Sequence, residues 1–389
     1  MKIDAEFAVR FVHRLRFTQD VFDPCNPTLT DLLERPAGKA ARLLCFIDAG
    51  LAQAVEGLVD RIENYCRAHP EAIFTPRPVQ VIRGGESIKN EPQALQPMLR
   101  AMDEARLCRR SYVLAIGGGA VLDSVGFAAA MAHRGVRLIR VATTTLAQAD
   151  SAVGVKNGIN AFGKKNYLGV FSPPWAVIND EQLLTSLNQT DWISGFSEAV
   201  KVSLLKDADF FAQIERDASR IAARDMAAAG PIIRRSAQLH FEHITAGGDP
   251  FELTTARPLD FGHWAAHKLE AMTGYTLSHG HAVAIGMALD LTYGNLMGWF
   301  SDEELERVLT CLNRLGFALY HPMMSNSDAL LTGLDEFREH LGGELTVPMI
   351  RRIGQTFDVH EIQRETMLAA IRERAAAATR PRRTSIESV

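Results

Sequence analysis

Short apolar runs alternate with amphipathic stretches through the first half of the chain. Residues 42–47 and 112–116 are almost continuously apolar, and residues 136–141 are apolar at four of six positions; all three runs are predicted to form strands, the first of them buried. Residues 51–69 have apolar positions at helical spacing and are predicted to form a helix after the first strand. Because strands alternate with helices, we expect a parallel sheet covered by helices.

The pattern changes near residue 184 and becomes helical, with long amphipathic stretches at 302–315 and 359–377. We therefore predict two domains: a Rossmann-like α/β domain over 1–184 with a parallel sheet, and an all-α domain over 185–389. The basic tail, residues 375–389, is predicted to be a frayed, solvated terminus.

Composition narrows the class of protein. The 389 residues are 47% hydrophobic and 23% charged, as in an ordinary globular protein, and the formal net charge is -4. This balance gives no reason to expect nucleic acid or an anionic membrane as a partner. No apolar run is long enough to span a membrane, and no secretory signal is predicted. The five cysteines are dispersed, which favours a reducing compartment, so we expect a cytoplasmic protein.

A triple glycine, Gly117, Gly118 and Gly119, lies between the predicted strand at 112–116 and the helix that follows it. Glycines at such a turn let the backbone approach a pyrophosphate, whose charge suits a helix N-terminus. The motif is not GxGxxG, and a plain tight turn between strand and helix is the alternative interpretation.

Polar residues at neighbouring strand ends strengthen the prediction of a dinucleotide site. Asp48 ends an earlier strand, where a carboxylate can accept bonds from a ribose diol and favours NAD over NADP. Glu86 and Lys89 belong to a GExxK turn, and Thr143 and Thr144 end the next strand. Carboxyl ends of parallel strands are where such ligands bind.

Histidines dominate the candidate chemistry of the second half. His263 and His267 are spaced i and i+4, on one face of a helix, and His279 and His281 follow a turn. Glu198 lies upstream on another predicted helix. Two histidines and a carboxylate suit a zinc-like ion with open positions for substrate. The spacing leaves open which of the four histidines are ligands.

Two stretches resemble signatures of the dehydroquinate synthase family, within the sugar phosphate cyclases. The first is TTTLAQADSAVGVKNGINAFGKKNYLGVF, residues 143–171, and the second is the FGHxxxH pattern followed by HG. The resemblance extends over about residues 86–290. It implies an α/β NAD domain followed by a helical metal domain, and a homodimer.

Site residues are carried over by position in these motifs. The implied metal ligands, for zinc or cobalt, are Glu198, His263 and His279. The implied NAD contacts are Asp48, Glu86, Lys89, Gly118, Gly119, Asp123, Thr143, Thr144 and Asp150. The implied substrate and phosphate contacts are Lys156, Lys165, Asn166, Lys201 and His267, with Arg134 reaching the phosphate of the neighbouring subunit. Without the resemblance, Asp123 and Asp150 could equally be a helix cap and a turn acid.

The implied reaction converts a seven-carbon ketose phosphate to a carbocycle, with loss of phosphate. It combines transient NAD oxidation, elimination, reduction and intramolecular aldol closure. His267 is our candidate for proton handling because imidazole can titrate near neutral pH. Lys201, one helical turn from Glu198, is expected to face the substrate.

The chain departs from the family near the substrate. Asp260 stands where dehydroquinate synthases usually carry Asn, and Arg257 is displaced from the family arginine. His240 or Glu242 occupies the region of a family lysine, and Arg338 lies near a lost lysine pair. Because the first two of these changes, at Asp260 and Arg257, weaken recognition of a carboxylate, we favour the valiolone-type cyclitol branch, which uses sedoheptulose 7-phosphate.

Three other functions remain open at this point. The chain could be a true 3-dehydroquinate synthase. It could be a metal-dependent polyol or alcohol dehydrogenase, although that class needs no phosphate site built from Lys156, Lys165 and Arg134. It could also be a non-catalytic NAD-binding protein that has kept the scaffold. A small phosphorylated sugar is the expected partner.

Overall fold

A computed structural model describes residues 2–90, 92–162, 164–251, 260–340 and 343–379. The chain divides into two compact units. The first comprises Met1–Leu187 and His240–Phe251, and the second comprises Asn188–Leu239 and Glu252–Val389. The domain boundary near residue 184 stays a prediction, and the first unit also takes in a short later segment that the sequence interpretation assigned to the second domain.

Nine strands are found in the described part of the first unit: β1 Leu15–Thr18, β2 Ala41–Asp48, β3 Ile73–Phe74, β4 Gln80–Ile82, β5 Tyr112–Gly117, β6 Arg137–Ala142, β7 Lys156–Ala161, β8 Lys164–Phe171 and β9 Ala176–Asp180. Seven of them form one sheet in the order β1-β9-β6-β5-β2-β3, and β4 also pairs with β2. Every pairing in this sheet is parallel. Strands β7 and β8 form a separate antiparallel hairpin. The parallel sheet predicted from the alternation of strands and helices is confirmed.

Helices of the first unit are α1 Ala49–Ala54, α2 Leu58–Ala68, α3 Leu95–Glu104 and α4 Gly119–Met131. Alternate side chains of β2 enter two different cores: Leu43 and Cys45 join one with α2, whereas Leu44 and Phe46 join another with α3 and α4. Burial on both faces explains why the parallel strands read as unbroken apolar runs. The single helix predicted over 51–69 is wrong, because it is interrupted before Gly57, whose φ of +72° is left-handed.

Eight helices follow among the described residues: α5 Gln189–Lys206, α6 Ala208–Ala222, α7 Met226–Ala246, α8 His263–Met272, α9 His279–Leu296, α10 Asp302–Leu315, α11 Ser327–His340 and α12 Arg364–Thr379. Most of α5 and α9 is buried on every side, which makes them the central helices of the second unit. The predicted helix at 302–315 is confirmed as α10.

The second unit also contains a hairpin that the helical pattern missed, formed by β10 Val347–Arg352 and β11 Gln355–Val359. The helix predicted from residue 359 therefore begins later, at Arg364, because Val359 closes the hairpin. Short helical turns complete the described chain: Thr30–Leu32, Pro36–Gly38, Glu86–Asn90, Pro92–Ala94, Ala132–Arg134, Ala147–Ser151, Glu181–Ser186 and Pro322–Ser325. Within the described ranges, no helix has both the length and the apolar character that crossing a membrane requires.

Candidate cofactor and metal sites

The triple-glycine turn lies where β5 and β6 end side by side. The amide of Thr143 donates to the carbonyl of Gly117 at 3.1 Å, so the two strand ends are tied together. A Cβ atom on Gly118 would lie 3.1 Å from Thr144 Cγ2. The glycines thus meet the two predicted threonines, and the turn is a point of close approach, as a dinucleotide turn requires.

Asp48 ends β2 beside this turn and begins α1. Its Oδ1 atom accepts the amides of Gly50 at 2.7 Å and Leu51 at 3.4 Å, so the side chain caps the helix. A Cβ atom on Gly117 would lie 3.3 Å from Asp48 Cβ, which places Asp48 against the triple glycine. The capping role was missed by the sequence interpretation, and the ribose contact of Asp48 stays a prediction.

The GExxK turn follows β4 and lies at the same edge of the sheet as Asp48 and the triple glycine. Lys89 is only 3% exposed, and its ammonium lies 2.7 Å from Asp123 Oδ2. Asp123 sits inside α4, whose N-cap position is Gly118, so the structure excludes the capping alternative for Asp123. Glu86 Oε1 accepts from Asn160 Nδ2 at 3.1 Å. Glu86, Lys89 and Asp123, which are predicted to contact NAD, therefore each have a polar partner within the protein.

After β6 the chain enters a π-helical turn, Ala147–Ser151, that carries Asp150. Thr144 Oγ1 accepts the amide of Ala147 at 3.1 Å and stabilises its start. Asp150 Oδ1 lies 2.5 Å from Nδ1 of His240, near the end of α7. Of the two residues considered for the lost family lysine, His240 thus pairs with Asp150, whereas Glu242 is exposed.

The predicted phosphate contacts lie on and near the β7–β8 hairpin. Lys156 begins β7 and is exposed, and Lys165 in β8 is half-buried. Asn166 has a φ of +54°, and its amide donates to Asn160 Oδ1 at 2.8 Å, so it also shapes the hairpin. Arg134 is exposed beyond the far end of α4, about 20 Å from the triple glycine at the rise of a 13-residue helix.

Three helices supply the candidate metal ligands in the second unit. Glu198 lies in the buried middle of α5, while His263 and His279 are the first residues of α8 and α9. Glu198 Oε1 is 4.0 Å from His263 Nε2 and 3.7 Å from His279 Nε2. One ligand atom from each of the three lies within 4.8 Å of the others, close enough for a single cation.

The second nitrogen of each histidine contacts an oxygen of the protein. His263 Nδ1 is 3.1 Å from the carbonyl of Phe261, and His279 Nδ1 is 3.2 Å from Glu270 Oε2. If each Nδ1 carries the proton, each Nε2 faces Glu198 as an acceptor, which is the arrangement of metal-binding histidines. Glu270 is 3% exposed and was missed by the sequence interpretation. Its signal was a spacing of seven residues from His263, two turns along one helix face.

The charges fit a divalent cation. Burial lowers the pKa of His263 well below its usual value, and nearby Lys201 lowers it further, so the ring is neutral as a ligand must be. Glu198 is 2% exposed and forms an ion pair with the 3% exposed Lys201. Apart from that pair, its two oxygens make no hydrogen bond with the described residues. A buried carboxylate so placed, beside two imidazole nitrogens, suits a metal.

Glycines bring these helices together. A Cβ atom on Gly280, next to His279, would overlap the carbonyl of Ser194, one turn before Glu198. Gly262, before His263, has a φ of +75°, and its Cβ would come within 2.6 Å of the Met287 amide in α9. The glycines of the FGH and HG patterns are therefore packing residues that set the ligand distances.

Asp290 anchors the start of α8 from α9. Its carboxylate accepts the amide of Gly262 at 3.0 Å and the indole N–H of Trp264 at 2.9 Å. These two bonds lie on either side of His263 and fix the helix start. Burial raises the pKa of Asp290 to about 7.

The other two predicted histidines, His267 and His281, lie in different surroundings. The ring of His267 stacks on His279 with centroids 5.8 Å apart and stands edge-on to His263 at 5.3 Å. His267, Glu270 and His279 form a second group that could hold a cation, sharing His279 with the first. His281 instead lies 3.3 Å from the carbonyl of Thr190 and packs on Phe317, outside both groups.

Residues tied to substrate choice are placed as follows. Asp260 is half-buried, just before the turn that begins α8. Arg257 lies outside the described residues. Arg338, on α11, pairs with Asp335 at 3.0 Å.

Comparison with known proteins shows which family the chain belongs to. Residues 79–194 match the model described as 3-dehydroquinate synthase N-terminal, and residues 195–335 match the model described as 3-dehydroquinate synthase C-terminal. A 3-dehydroquinate synthase of Ruegeria pomeroyi is 36% identical over 75% of this chain and 80% of its own. The chain belongs to the 3-dehydroquinate synthase family. The resemblance and the fold class predicted from the sequence are confirmed.

Relatives with a different product also match. A 2-epi-5-epi-valiolone synthase of Streptomyces glaucescens is 33% identical over 90% of this chain and 87% of its own. The solved 2-epi-5-epi-valiolone synthase from Streptomyces hygroscopicus, with NAD+ and Zn2+ bound, has a TM-score of 0.87 and 28% identity. That likeness covers 97% of this chain and 100% of that chain. Both kinds of cyclase are thus similar to this protein.

Proposed function

We propose that this protein is an NAD- and metal-dependent sugar phosphate cyclase, a carbon–oxygen lyase that removes phosphate from a seven-carbon ketose phosphate and closes a carbocycle. The observation that carries the proposal is the convergence of Glu198, His263 and His279 on one point from three helices. Family membership supports it, because the relatives are cyclases and one is solved with NAD+ and Zn2+.

Residue roles follow from the two sites. Glu198, His263 and His279 would hold one divalent metal, zinc or cobalt. NAD would be held by Asp48, Glu86, Lys89, Gly118, Gly119, Asp123, Thr143, Thr144 and Asp150. When bound, NAD would accept and return a hydride, and the metal would polarise the oxygens it binds.

The remaining residues would bind and orient the sugar phosphate. Lys156 and Lys165 offer ammonium donors to the phosphate, and Asn166 offers an amide. Lys201 orients the carboxylate of Glu198 through their ion pair and offers protons to a sugar hydroxyl. His267 would carry a proton, since its ring packs against both candidate metal histidines.

Assembly and location complete the proposal. We expect a homodimer in which Arg134 reaches the phosphate at the neighbouring subunit, because Arg134 is exposed beyond α4. We expect a cytoplasmic protein, because all five cysteines are free thiols and three of them are buried.

Asp260 supports sedoheptulose 7-phosphate as the substrate. A carboxylate there would accept bonds from sugar hydroxyls and would repel a substrate carboxylate. Sedoheptulose 7-phosphate lacks the carboxylate that the heptulosonate substrate of dehydroquinate synthase carries. A true 3-dehydroquinate synthase is the second candidate, because the relative from Ruegeria is 36% identical.

The test compares the two sugar phosphates directly. Purified protein with NAD and zinc or cobalt is incubated with each, and phosphate release and NADH absorbance are followed. We expect phosphate release from sedoheptulose 7-phosphate with no net NADH. Turnover of the heptulosonate alone would assign the protein to true dehydroquinate synthase.

Two further outcomes would replace the proposal. Accumulation of NADH with a simple polyol would indicate a dehydrogenase. A folded protein that contains no metal by elemental analysis and turns over neither phosphate would indicate a non-catalytic NAD-binding protein. Glu198→Ala serves as the inactive control in each assay.

A further inference from the structure

One buried cation lies outside the roles assigned so far. Arg140 points from the middle of β6 into the first unit and is 0% exposed. It forms no ion pair with the described residues, and the charge of Asp123 interacts with it electrostatically only at longer range. A guanidinium that is fully withdrawn from water is stable only when other groups replace the water.

A single segment supplies those groups: residues 151–157, which run from the end of the π-helical turn into β7 and are called the loop below. The two terminal nitrogens of Arg140 donate to five oxygens of this loop: Ser151 O at 3.4 Å, Ala152 O at 2.9 Å, Gly154 O at 2.8 Å, Lys156 O at 2.9 Å and Asn157 Oδ1 at 2.7 Å. Four of the five are main-chain carbonyls. The arginine thus fixes the path of the backbone between the π-helical turn and β7.

Only arginine suits this arrangement among the cationic side chains. Its planar fork presents several N–H donors in fixed directions, so two nitrogens can serve separate carbonyls at once. A lysine ammonium donates from one point and could not span the same set of oxygens. A neutral residue would leave carbonyls of the loop without donors.

Asn157 strengthens this clamp, by which we mean the hydrogen bonds from Arg140 to residues 151–157. While its Oδ1 accepts from Arg140, its Nδ2 donates to the carbonyl of Ser172 at 3.0 Å. Helix α4 packs so closely here that a Cβ atom on Gly126 would overlap the Asn157 side chain. The loop is therefore held between β6, α4 and the segment after β8.

We propose that Arg140 is a positioning residue for the cyclase reaction. The loop it clamps begins directly after Asp150, a candidate NAD contact, and contains Lys156, a candidate phosphate contact. By fixing the backbone of the five residues between them, 151–155, Arg140 sets the distance between the side chains of Asp150 and Lys156. This inference rests on the proposed function for the roles of Asp150 and Lys156, but the clamp itself can be measured without turnover.

The experiment compares Arg140→Lys with Arg137→Lys, which makes the same change on the same strand. Arg137 instead pairs with Glu34 at 2.9 Å and lies over the Trp175 ring, so it is a matched control for stability. Hydrogen exchange is followed in peptides covering 151–157, and thermal melting is recorded for each protein. Steady-state kinetics with sedoheptulose 7-phosphate give kcat and KM.

We expect Arg140→Lys to raise exchange in 151–157 at least about tenfold and to lower kcat/KM about tenfold or more, partly through a higher KM, while metal content is unchanged. Arg137→Lys should lower the melting temperature without changing loop exchange or kcat/KM more than about twofold. Equal exchange and equal kcat/KM in both variants would overturn the inference.

A second variant covers failure of Arg140→Lys to fold. Asn157→Ala removes one acceptor of the clamp and leaves the arginine in place, and it should raise exchange in 151–157 and lower kcat/KM about threefold or more. No change in either quantity would overturn the inference. Lack of activity in the unaltered protein with both sugar phosphates would refute the proposed function. The exchange data would still test whether Arg140 fixes the conformation of residues 151–157.

Discussion

The carboxyl edge of the sheet in the first unit and the histidine cluster in the second use similar side chains in opposite ways. At the sheet edge, charged candidates have protein partners: Lys89 has Asp123, and Asp150 has His240. In the cluster, the buried carboxylate of Glu198 forms an ion pair with the ammonium of Lys201. Apart from that pair, it makes no hydrogen bond with the described residues. Partners at the edge stabilise the fold, whereas in the cluster Glu198 Oε1 lies 4.0 Å and 3.7 Å from the Nε2 atoms of His263 and His279, distances that the proposed cation would bridge.

This difference predicts different responses to mutation. Removing Asp123 at the sheet edge leaves the buried ammonium of Lys89 without this partner and should destabilise the protein without changing its metal content. Removing Glu198 takes its carboxylate away from the buried ammonium of Lys201, so it should also destabilise the protein, but it should in addition abolish metal binding. The predictions below test this contrast, from the largest expected effect to the smallest.

Glu198→Ala should lower metal-dependent turnover by about 10³-fold or more, because the proposed metal site would lose its carboxylate ligand. The variant should contain no metal and should melt at a lower temperature, because the buried ammonium of Lys201 loses the carboxylate of Glu198. Phosphate release, elemental analysis and melting check these points, with His281→Ala as a control that keeps its metal. A variant that binds metal as the unaltered protein does would contradict the contrast between the two regions.

Asp290 should make stability depend on pH. Its pKa is about 7 in the folded protein and 3.8 when unfolded. The unfolded state therefore loses this proton first, and the stability contribution of protonated Asp290 is lost as pH rises from about 4 to about 7. At about 1.4 kcal/mol per pKa unit, the loss is at most about 4 kcal/mol.

The measurement is urea unfolding of chelator-treated protein across this range, compared between the unaltered chain and Asp290→Asn. The difference between their unfolding free energies should change with pH below 7 and level off above it. A constant difference over the whole range would show that Asp290 does not retain its proton in the fold.

Asp123→Ala should destabilise the first unit by about 3 kcal/mol, because the buried ammonium of Lys89 would lose its partner. Urea denaturation gives this value directly. Replacing both residues together, as Lys89→Met with Asp123→Leu, should recover part of the loss, since no charge is then left buried. If the single variant is as stable as the unaltered chain, the sheet edge does not depend on this pair.

Glu270→Gln should weaken metal binding about 10- to 100-fold, because an amide orients the His279 ring less firmly than a carboxylate does. Competition with a chromophoric chelator measures the Kd. The control is Glu336→Gln, an exposed acid that pairs with Lys268 on a neighbouring helix and should leave the Kd unchanged. Equal Kd values for the two variants would remove Glu270 from the support of the metal site.

Much of the fold could be predicted from the sequence because its signals are local. The apolar runs of β2, β5 and β6 needed only neighbouring residues, and α10 was predicted at both ends. The β10–β11 hairpin was missed within a helical pattern. The break at Gly57 was missed because amphipathic spacing continues across it, while the left-handed backbone of one residue leaves no trace in that spacing.

For the candidate sites, the sequence by itself determined which residue types occur at strand ends and at helical spacing. His263 and His267 share a helix face because they are four residues apart, and the triple glycine directly follows an apolar run that predicts a strand. Only the tertiary structure decided that His281 leaves the cluster, that Glu270 faces His279, and that Arg140 holds its loop. His240 meets Asp150 across 90 positions of sequence. Such contacts arise from packing between distant segments, and no local spacing encodes them.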